Sequence, residues 1–385
     1  MMYGAMEPIS PATPNEMAEA LATAAGEGRS ITLNGASSKP RLSGPLPAAD
    51  ITISTTGLTR IIEYEPRDLT ISVEAGLPFS ELTSAIAKDG LMLALDPPFF
   101  NNATVGGVIA ANCSGPRRRL YGTARDLVIG MKFATLEGNI VQSGGMVVKN
   151  AAGLEMGKLL IGSLGTLAAI VSVNFRLAPR PPSSRTFLSR HDSIESAIAA
   201  RDSLIRGVLQ PVAVDLLNPP AAQRAGLDGC ALLVQAQGSP AVIERYSSEL
   251  TSASAVDGPD ETSLWEKVRE FVPGFLAENP NGAVVRASST ITGIAGVMRE
   301  LPGAALARAG SGVVYGLFDQ CEDACEWVAA ASRKSQSAVV EYVSEAGCSG
   351  DRWPLRGADF TMMEKVKDMF DPNHLLNVGR LYGRL

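Results

Sequence analysis

Histidine is almost missing from this chain, with His191 and His374 the only two among 385 residues. Two histidines so far apart supply no histidine cluster for a metal centre. Cysteine is sparse too: Cys113, Cys230, Cys321, Cys325 and Cys348 are odd in number, scattered, and contain no CxxC pair. Such usage fits a reducing, cytoplasmic setting. Cys321 and Cys325 share one face of a helical pattern, but no histidine or third cysteine stands near them in sequence. They read as small buried hydrophobes, and no metal site is expected. Positive charge is not in excess, 34 Lys and Arg against 40 Asp and Glu, a formal net charge of −6. That balance excludes a nucleic-acid footprint and an anionic-membrane footprint. No uninterrupted apolar run reaches membrane-spanning length, and the N-terminus has no basic–apolar–cleavage pattern. At most, peripheral membrane association through partners is expected.

What remains is an ordinary globular composition, 45% hydrophobic and 19% charged, long enough for two domains with separate cores. Its most informative stretch runs from Asn102 to Gly130. There Gly106, Gly107, Gly115 and Gly122 are interleaved with Asn102, Thr104, Asn112, Ser114 and Thr123. Glycine admits close approach of a ligand to backbone, and short polar side chains with free N–H groups offer donors to phosphate and heterocycle oxygens. Such a segment makes a poor core; wrapping a large polar nucleotide is the better reading.

Thr13, Pro14 and Glu16 mark a capped helix start, followed by Met17, Leu21 and Ala25 on one face and Gly26 and Gly28 at the end. A strand at Ile31–Leu33 runs into Asn34–Lys39, a Gly/Ser anion-binding turn. Strands are expected at 50–54, 61–64, 69–74 and 91–95, with a helix over 78–88 stopped by Gly90. A hairpin at 128–143 turns at Glu137-Gly138-Asn139. A helical stretch at 154–161, the loop Gly162–Thr166 and an apolar strand at 168–177 lead to a linker, Pro179–Ser184. Beyond it, helices at 193–206, 241–250 and 322–335 alternate with strands near 211–216, 231–235, 283–288, 313–317 and 338–342. This is an α+β module, an antiparallel sheet with helices on one face.

These residues carry a family resemblance. Asn34–Lys39, Pro97-Pro98, Ala103-Thr104-Val105-Gly106-Gly107 and Gly162–Thr166 before an Ile/Val-rich strand resemble the FAD-binding domain of the vanillyl-alcohol oxidase/p-cresol methylhydroxylase superfamily. The tail resembles its closing element in Asp371-Pro372, Leu376-Asn377 and Gly379-Arg380, with Val378 where proline is usual. Within the superfamily, Ser114–Arg118, Tyr121-Gly122, Arg125-Asp126 and Gly144–Gly153 are similar to a flavin subunit type of bacterial glycolate oxidases. The resemblance implies an α+β fold: an FAD domain of two α/β subdomains over 1–180, an α+β cap over 185–350, and a segment, 351–385, returning to the FAD domain. It implies FAD contacts from Asn34, Gly35, Ala36, Ser37, Ser38, Pro97, Ala103, Thr104, Val105, Gly106, Gly107, Ala110, Asn112, Ser114, Gly115, Tyr121, Gly122, Asp126, Gly165, Thr166, Ile170, Val171, Asn377 and Arg380. Covalent attachment in the superfamily uses a histidine near the short loop, where this chain has Ala36 and Ser37, so the FAD is expected to be non-covalent. The implied partners are a short 2-hydroxy acid, a second FAD subunit and an iron–sulfur subunit.

Oxidising a 2-hydroxy acid with a flavin calls for a proton acceptor, a cation for the carboxylate, and donors at the reduced ring. Metal-dependent relatives use clustered histidines, whereas the corresponding VEYVSEAG stretch here, Val340–Gly347, has none. Either a Glu or Lys takes the proton, or this chain mainly relays electrons. Arg286, Arg125 and Lys149 are the candidate catalytic side chains. Arg286 either clamps a carboxylate or lies on a solvated strand face; Arg125 is either a flavin-side cation or the partner of Asp126. Lys149 either approaches the cofactor or closes the domain. Arg117–Arg119 is an anion or docking patch or plain surface. Three functions remain open: an electron-handling subunit of a glycolate-oxidase-type complex, a self-sufficient FAD dehydrogenase, and an assembly subunit with a non-catalytic flavin.

Overall fold

The capped helix runs from Pro14 to Gly26. The Thr13 hydroxyl accepts from Glu16 N–H at 3.2 Å, and the Glu16 carboxylate accepts from Ala12 N–H at 2.9 Å. Its buried face, Met17, Ala18, Leu21 and Ala24, follows the helical period. The computed structural model describes residues 8–146 and 155–385, so Lys149, Asn150 and most of the Gly144–Gly153 motif lie outside the described residues.

Ile31–Asn34 (β1) and Ile51–Ser54 (β2) form a parallel pair in register. Ile61–Glu65 (β3) and Thr70–Glu74 (β4) follow, then the two-residue Leu91–Met92 (β5). The expected 91–95 strand is thus shorter than its apolar run. Val128–Ala134 (β6) and Ile140–Gly144 (β7) make the predicted hairpin, and Ala169–Arg176 (β8) lies beside it. The five long strands form an antiparallel sheet ordered β3-β4-β8-β6-β7. A bulge in β8 opposite Lys132 and Phe133 reverses its side-chain alternation. Ala169 and Val171 therefore face the first helix, while Val173 and Phe175 pack with Phe79, Leu82, Ile86, Val105 and Val108.

Ala178–Pro179 (β9) pairs with β5, and Ser183–His191 (β10) already belongs to the second sheet. The linker is therefore only Arg180–Pro182, shorter than the Pro179–Ser184 expected from composition. Ala213–Leu217 (β11), Cys230–Gly238 (β12), Ser254–Val256 (β13), Ala283–Ser288 (β14), Ala305–Arg308 (β15), Val313–Phe318 (β16) and Ala338–Tyr342 (β17) complete the second sheet. Its order is β13-β10-β12-β11-β15-β16-β14-β17, antiparallel throughout.

Helices cover both faces of this sheet, not one. Ile194–Arg206, Pro240–Glu249, Ile294–Glu300 and Cys321–Arg333 contribute to one core with Val214, Leu216, Leu232 and Val234. Pro219–Ala225, Gly258–Arg269 and Phe271–Glu278 contribute to another with Leu217, Ala231 and Leu233. Strands β11 and β12 are apolar on both faces, so one layer of helices would leave half of that surface wet. The fold is α+β.

Two contacts lock the sheets' layers together. Arg41, buried, donates to the carbonyls of Leu276, Asn279, Gly282 and Val343. Glu270 accepts from Phe99 N–H and Phe100 N–H at 2.9 and 3.2 Å, just after Pro97-Pro98. The final helix, Phe360–Phe370, sets Val366 and Phe370 against the first domain's core, and Leu376 enters the cluster of the first helix. No helix among the described residues is long and apolar enough to cross a membrane.

Candidate functional site

β1 delivers the chain into Asn34–Lys39, where Ser37 adopts a left-handed φ of 50°. The N–H groups of Ala36, Ser37, Ser38 and Lys39 have no hydrogen-bond partner among the described residues. A run of unpaired donors in such a turn is a nest for phosphate oxygens. The nest opens on a trough lined by Gly35, Thr104, Gly107, Ala110, Leu164, Gly165 and Ile170, among others. Lys39 and Arg380 are its cations, and no carboxylate lines it among the described residues. Arg380 donates to the Lys39 carbonyl at 3.3 Å, which turns the tail back over the short loop. A narrow groove of small side chains, unpaired N–H donors and uncompensated positive charge fits a dinucleotide pyrophosphate.

The structure separates the residues singled out in sequence. Asn34, Gly35, Ala36, Ser37, Ser38, Thr104, Gly106, Gly107, Ala110, Gly165, Ile170 and Arg380 line the trough. Ala103, Val105 and Val171 are core residues, and Pro97 is buried without reaching it. Gly106 also has a packing reason: an added Cβ would lie 2.8 Å from the Ala75 Cβ. Gly115 and Gly122 likewise give room to Asp96 and Asp126. Asp126 caps its own turn, accepting from Thr123 N–H at 2.7 Å. Asn377 is a clamp: its Oδ1 accepts from Leu33 N–H at 2.8 Å, and its Nδ2 donates to the Leu33 and Leu164 carbonyls, each at 3.0 Å. The Thr166 carbonyl accepts from Lys367 Nζ at 2.8 Å. Tyr121 stays half-buried and its phenol is raised by desolvation. Arg125 is exposed and donates to the Lys158 carbonyl, away from the trough.

A second chamber adjoins the trough, sharing Leu42, Ala111 and Leu164 with it. Asn112, Cys113 and Ser114 reach this chamber, and so does Arg286. Arg118, Arg269 and Arg308 also line it, with Tyr315, Tyr342 and Tyr382; Glu341 is its one carboxylate among the described lining residues. The arginine run of the glycine-rich stretch is thus split three ways. Arg117 pairs with Asp96 at 3.9 Å, Arg118 enters the chamber, and Arg119 donates to the Pro211 carbonyl at 2.9 Å.

Charge in the chamber is arranged by neighbouring strands. Arg286 on β14 meets Glu341 on β17 at 2.8 Å. Burial would lower the Arg286 guanidinium, but Glu341 and then Tyr382 outweigh it and hold it above its ordinary value. Arg308 on β15 is ion-paired with Asp215 on β11, both buried. Desolvation raises the Asp215 carboxyl to about 6 despite that arginine. Burial also lowers Arg118, reinforced by Arg286 and Arg308 after the favourable Tyr315. Tyr315 is pushed up to about 12 by desolvation, and Tyr342 and Tyr382 move the same way, so all three serve as neutral donors. Burial raises the Cys113 thiol as well, keeping it neutral. Arg118 was singled out only within the run Arg117–Arg119, and Arg308, Glu341 and the tyrosines were not singled out in sequence as site residues, because nothing in the spacing of distant strands shows which edges meet.

Residues 8–144 match the family described as FAD binding domain. That match decides the cofactor. The chain is an FAD-binding oxidoreductase. It is 28% identical over 356 residues to the glycolate oxidase subunit GlcE of Escherichia coli (strain K12), covering 92% of this chain and 93% of that protein. It is 30% identical over 163 residues to the glycolate oxidase subunit GlcD of Bacillus subtilis (strain 168), covering 42% of this chain but 35% of that one. In fold it is similar to p-cresol methylhydroxylase solved with substrate bound, with a TM-score of 0.78 over 98% of this chain and 88% of that one at 15% identity. The donors, cations and small side chains of the trough suit FAD.

Proposed function

We propose that this chain is an electron-handling subunit of a glycolate-oxidase-type complex, binding FAD non-covalently and oxidising a short 2-hydroxy acid such as glycolate. Its partners in that reading are a second FAD subunit and an iron–sulfur subunit. The observation that carries it is the arginine-rich chamber contiguous with the FAD trough, together with similarity to a glycolate oxidase subunit over nearly the whole chain. Bound flavin supplies a hydride acceptor. Arg118, with Arg286 and Arg308 behind it, holds the substrate carboxylate, and Tyr315 and Tyr382 donate to its oxygens. Glu341, set 2.8 Å from Arg286 across the strands, takes the hydroxyl proton. Arg125 has no part in this scheme, and Lys149 is a further candidate cation. In the same reading, 1–180 with 351–385 is the FAD domain and 185–350 the cap. The protein works in the cytoplasm.

A second reading has its own support. The chamber holds a carboxylate binder and a proton acceptor, which suffice for the chemistry without partners. The chain would then be a self-sufficient dehydrogenase. One experiment separates the two: tagged protein from its native host is purified, its flavin spectrum and partners recorded, and turnover of glycolate and D-lactate followed with a dye acceptor, alone and with the partners. Reduction of the flavin by a hydroxy acid only in the assembled complex supports the subunit reading. Full turnover by the isolated chain supports the second, and purified protein that takes up no FAD ends both. All flavin should leave the protein on acid denaturation.

A further inference from the structure

Cys321 and Cys325 occupy the first two turns of the helix Cys321–Arg333, and the chain after β17 returns to set Cys348 beside them. The three sulfurs lie within 4.8 Å of one another, the only such group of His, Cys, Asp or Glu among the described residues. The third cysteine that spacing alone did not supply is therefore brought in by the fold. Cys321 and Cys325 are buried and Cys348 half-buried, so the group is largely shielded from water.

We infer that Cys321, Cys325 and Cys348 bind a thiophilic d10 metal ion, Zn2+ or Cu+, at a site separate from the flavin. Thiolates at about 2.3 Å from a metal stand roughly 4 Å apart, so small rotations of these side chains bring them into place. Sulfur ligands select these ions over Mg2+ or Ca2+, which require oxygen. Three sulfurs complete a trigonal Cu+ site and leave Zn2+ one open position.

The surroundings answer two objections. First, a buried anionic cluster needs compensation. Cys321 is the first residue of a 13-residue helix, where peptide dipoles favour negative charge, and the buried Arg41 guanidinium is attracted to its sulfur. Second, three cysteines in a core can be mere packing. Here backbone is held hard against them. A Cβ on Gly350 would lie 2.9 Å from the Cys325 sulfur, and the Cys348 sulfur sits 3.5 Å from the Cys321 carbonyl oxygen.

The test uses the full-length flavoprotein, reduced and handled without oxygen. It is titrated with Co2+ as a spectroscopic stand-in for Zn2+ and, separately, with Cu+ against a chromophoric Cu+ chelator. About one equivalent should bind, with sulfur-to-cobalt charge-transfer absorption or retention of Cu+ against the chelator. Whichever ion is held in elemental analysis of protein from its native host identifies the metal. C325S and C348S should each lower affinity by more than about 100-fold, beyond the loss seen for outer partners. Both should keep the flavin spectrum and circular dichroism of the parent. C113S, whose thiol lies in the flavin-side chamber, is the control and should bind metal as the parent does. Equal metal binding by the parent and the C321S/C325S/C348S variant would overturn the inference. So would a disulfide among the three in native protein that takes up neither ion after reduction.

Discussion

Lys367 Nζ and the Asp371 carboxylate stand 2.6 Å apart one helical turn from each other, with 1% and 0% of their side chains exposed. The ammonium also donates to the Thr166 and Leu376 carbonyls, each at 2.8 Å, and the carboxylate accepts from Leu376 N–H at 2.8 Å. One buried pair thus fastens the last helix to the Gly162–Thr166 loop and aims Asn377 at β1. Removing one partner strands the other as an uncompensated charge. Lys367→Met should cost about 3–5 kcal/mol in urea unfolding and loosen FAD at the trough. An unchanged midpoint would show that the pair is not the fastening.

Adjacent glycines make separable predictions. Gly106 meets Ala75 side chain and backbone, whereas a Cβ on Gly107 meets only the Thr104 hydroxyl, at 3.1 Å. Gly106→Val should destabilise the fold by about 1–3 kcal/mol through overpacking. Gly107→Val should leave the unfolding midpoint within about 1 kcal/mol and reduce FAD affinity by roughly 100-fold or more, as steric filling of the groove requires. Flavin fluorescence titration beside denaturant melts distinguishes them; equal FAD loss with equal stability loss would refute the assignment.

The proposed mechanism assigns substrate binding and proton transfer to different side chains of the chamber. Arg118→Met should raise KM for a 2-hydroxy acid by about 10–100-fold, the value of one charge-assisted hydrogen bond. Glu341→Gln should instead lower kcat by about 100-fold or more with a smaller change in KM, as loss of a general base does. Steady-state kinetics of the active preparation tests both. A Glu341→Gln variant with full kcat would move the proton acceptor elsewhere.

Asp215 gives a stability effect with a definite sign. Its folded carboxyl titrates near 6 against an ordinary 3.8, raised by desolvation. The native state therefore holds this proton more tightly than the unfolded chain. Its contribution is fully present below about 3.8 and is lost as pH rises through 6. Asp215→Asn removes that titration, so the fall in stability between about pH 4 and pH 6.5 should be shallower in the variant. Parallel curves from denaturant melts at several pH values would contradict it.

Much of the first domain was readable because its signals are local. Thr13 and Glu16 cap a helix with bonds between residues three and four apart, and β6–β7 turn at a short glycine loop. The cap was harder. Its apolar strands read as one-sided because periodicity does not tell which faces are buried, and β10 was hidden inside a stretch that looks like a linker. The trough's loop was legible from small residues. Pro97, Val105 and Val171 were not separable from it, because a residue inside a motif can serve the core that holds the motif in place.

By itself, the sequence determined the cofactor class and the loops that line the trough. Glycine, small polar residues and the closing Asn377 and Arg380 act through backbone freedom and short-range bonds written into neighbouring positions. Only the tertiary structure decided that Arg118, Arg286, Arg308 and Glu341 share a chamber, and that Cys348 joins Cys321 and Cys325. Those meetings depend on which strands pair and where a loop returns. They are set by burial of two apolar sheet faces over long sequence separations, and the spacing of the residues that meet carries no record of it.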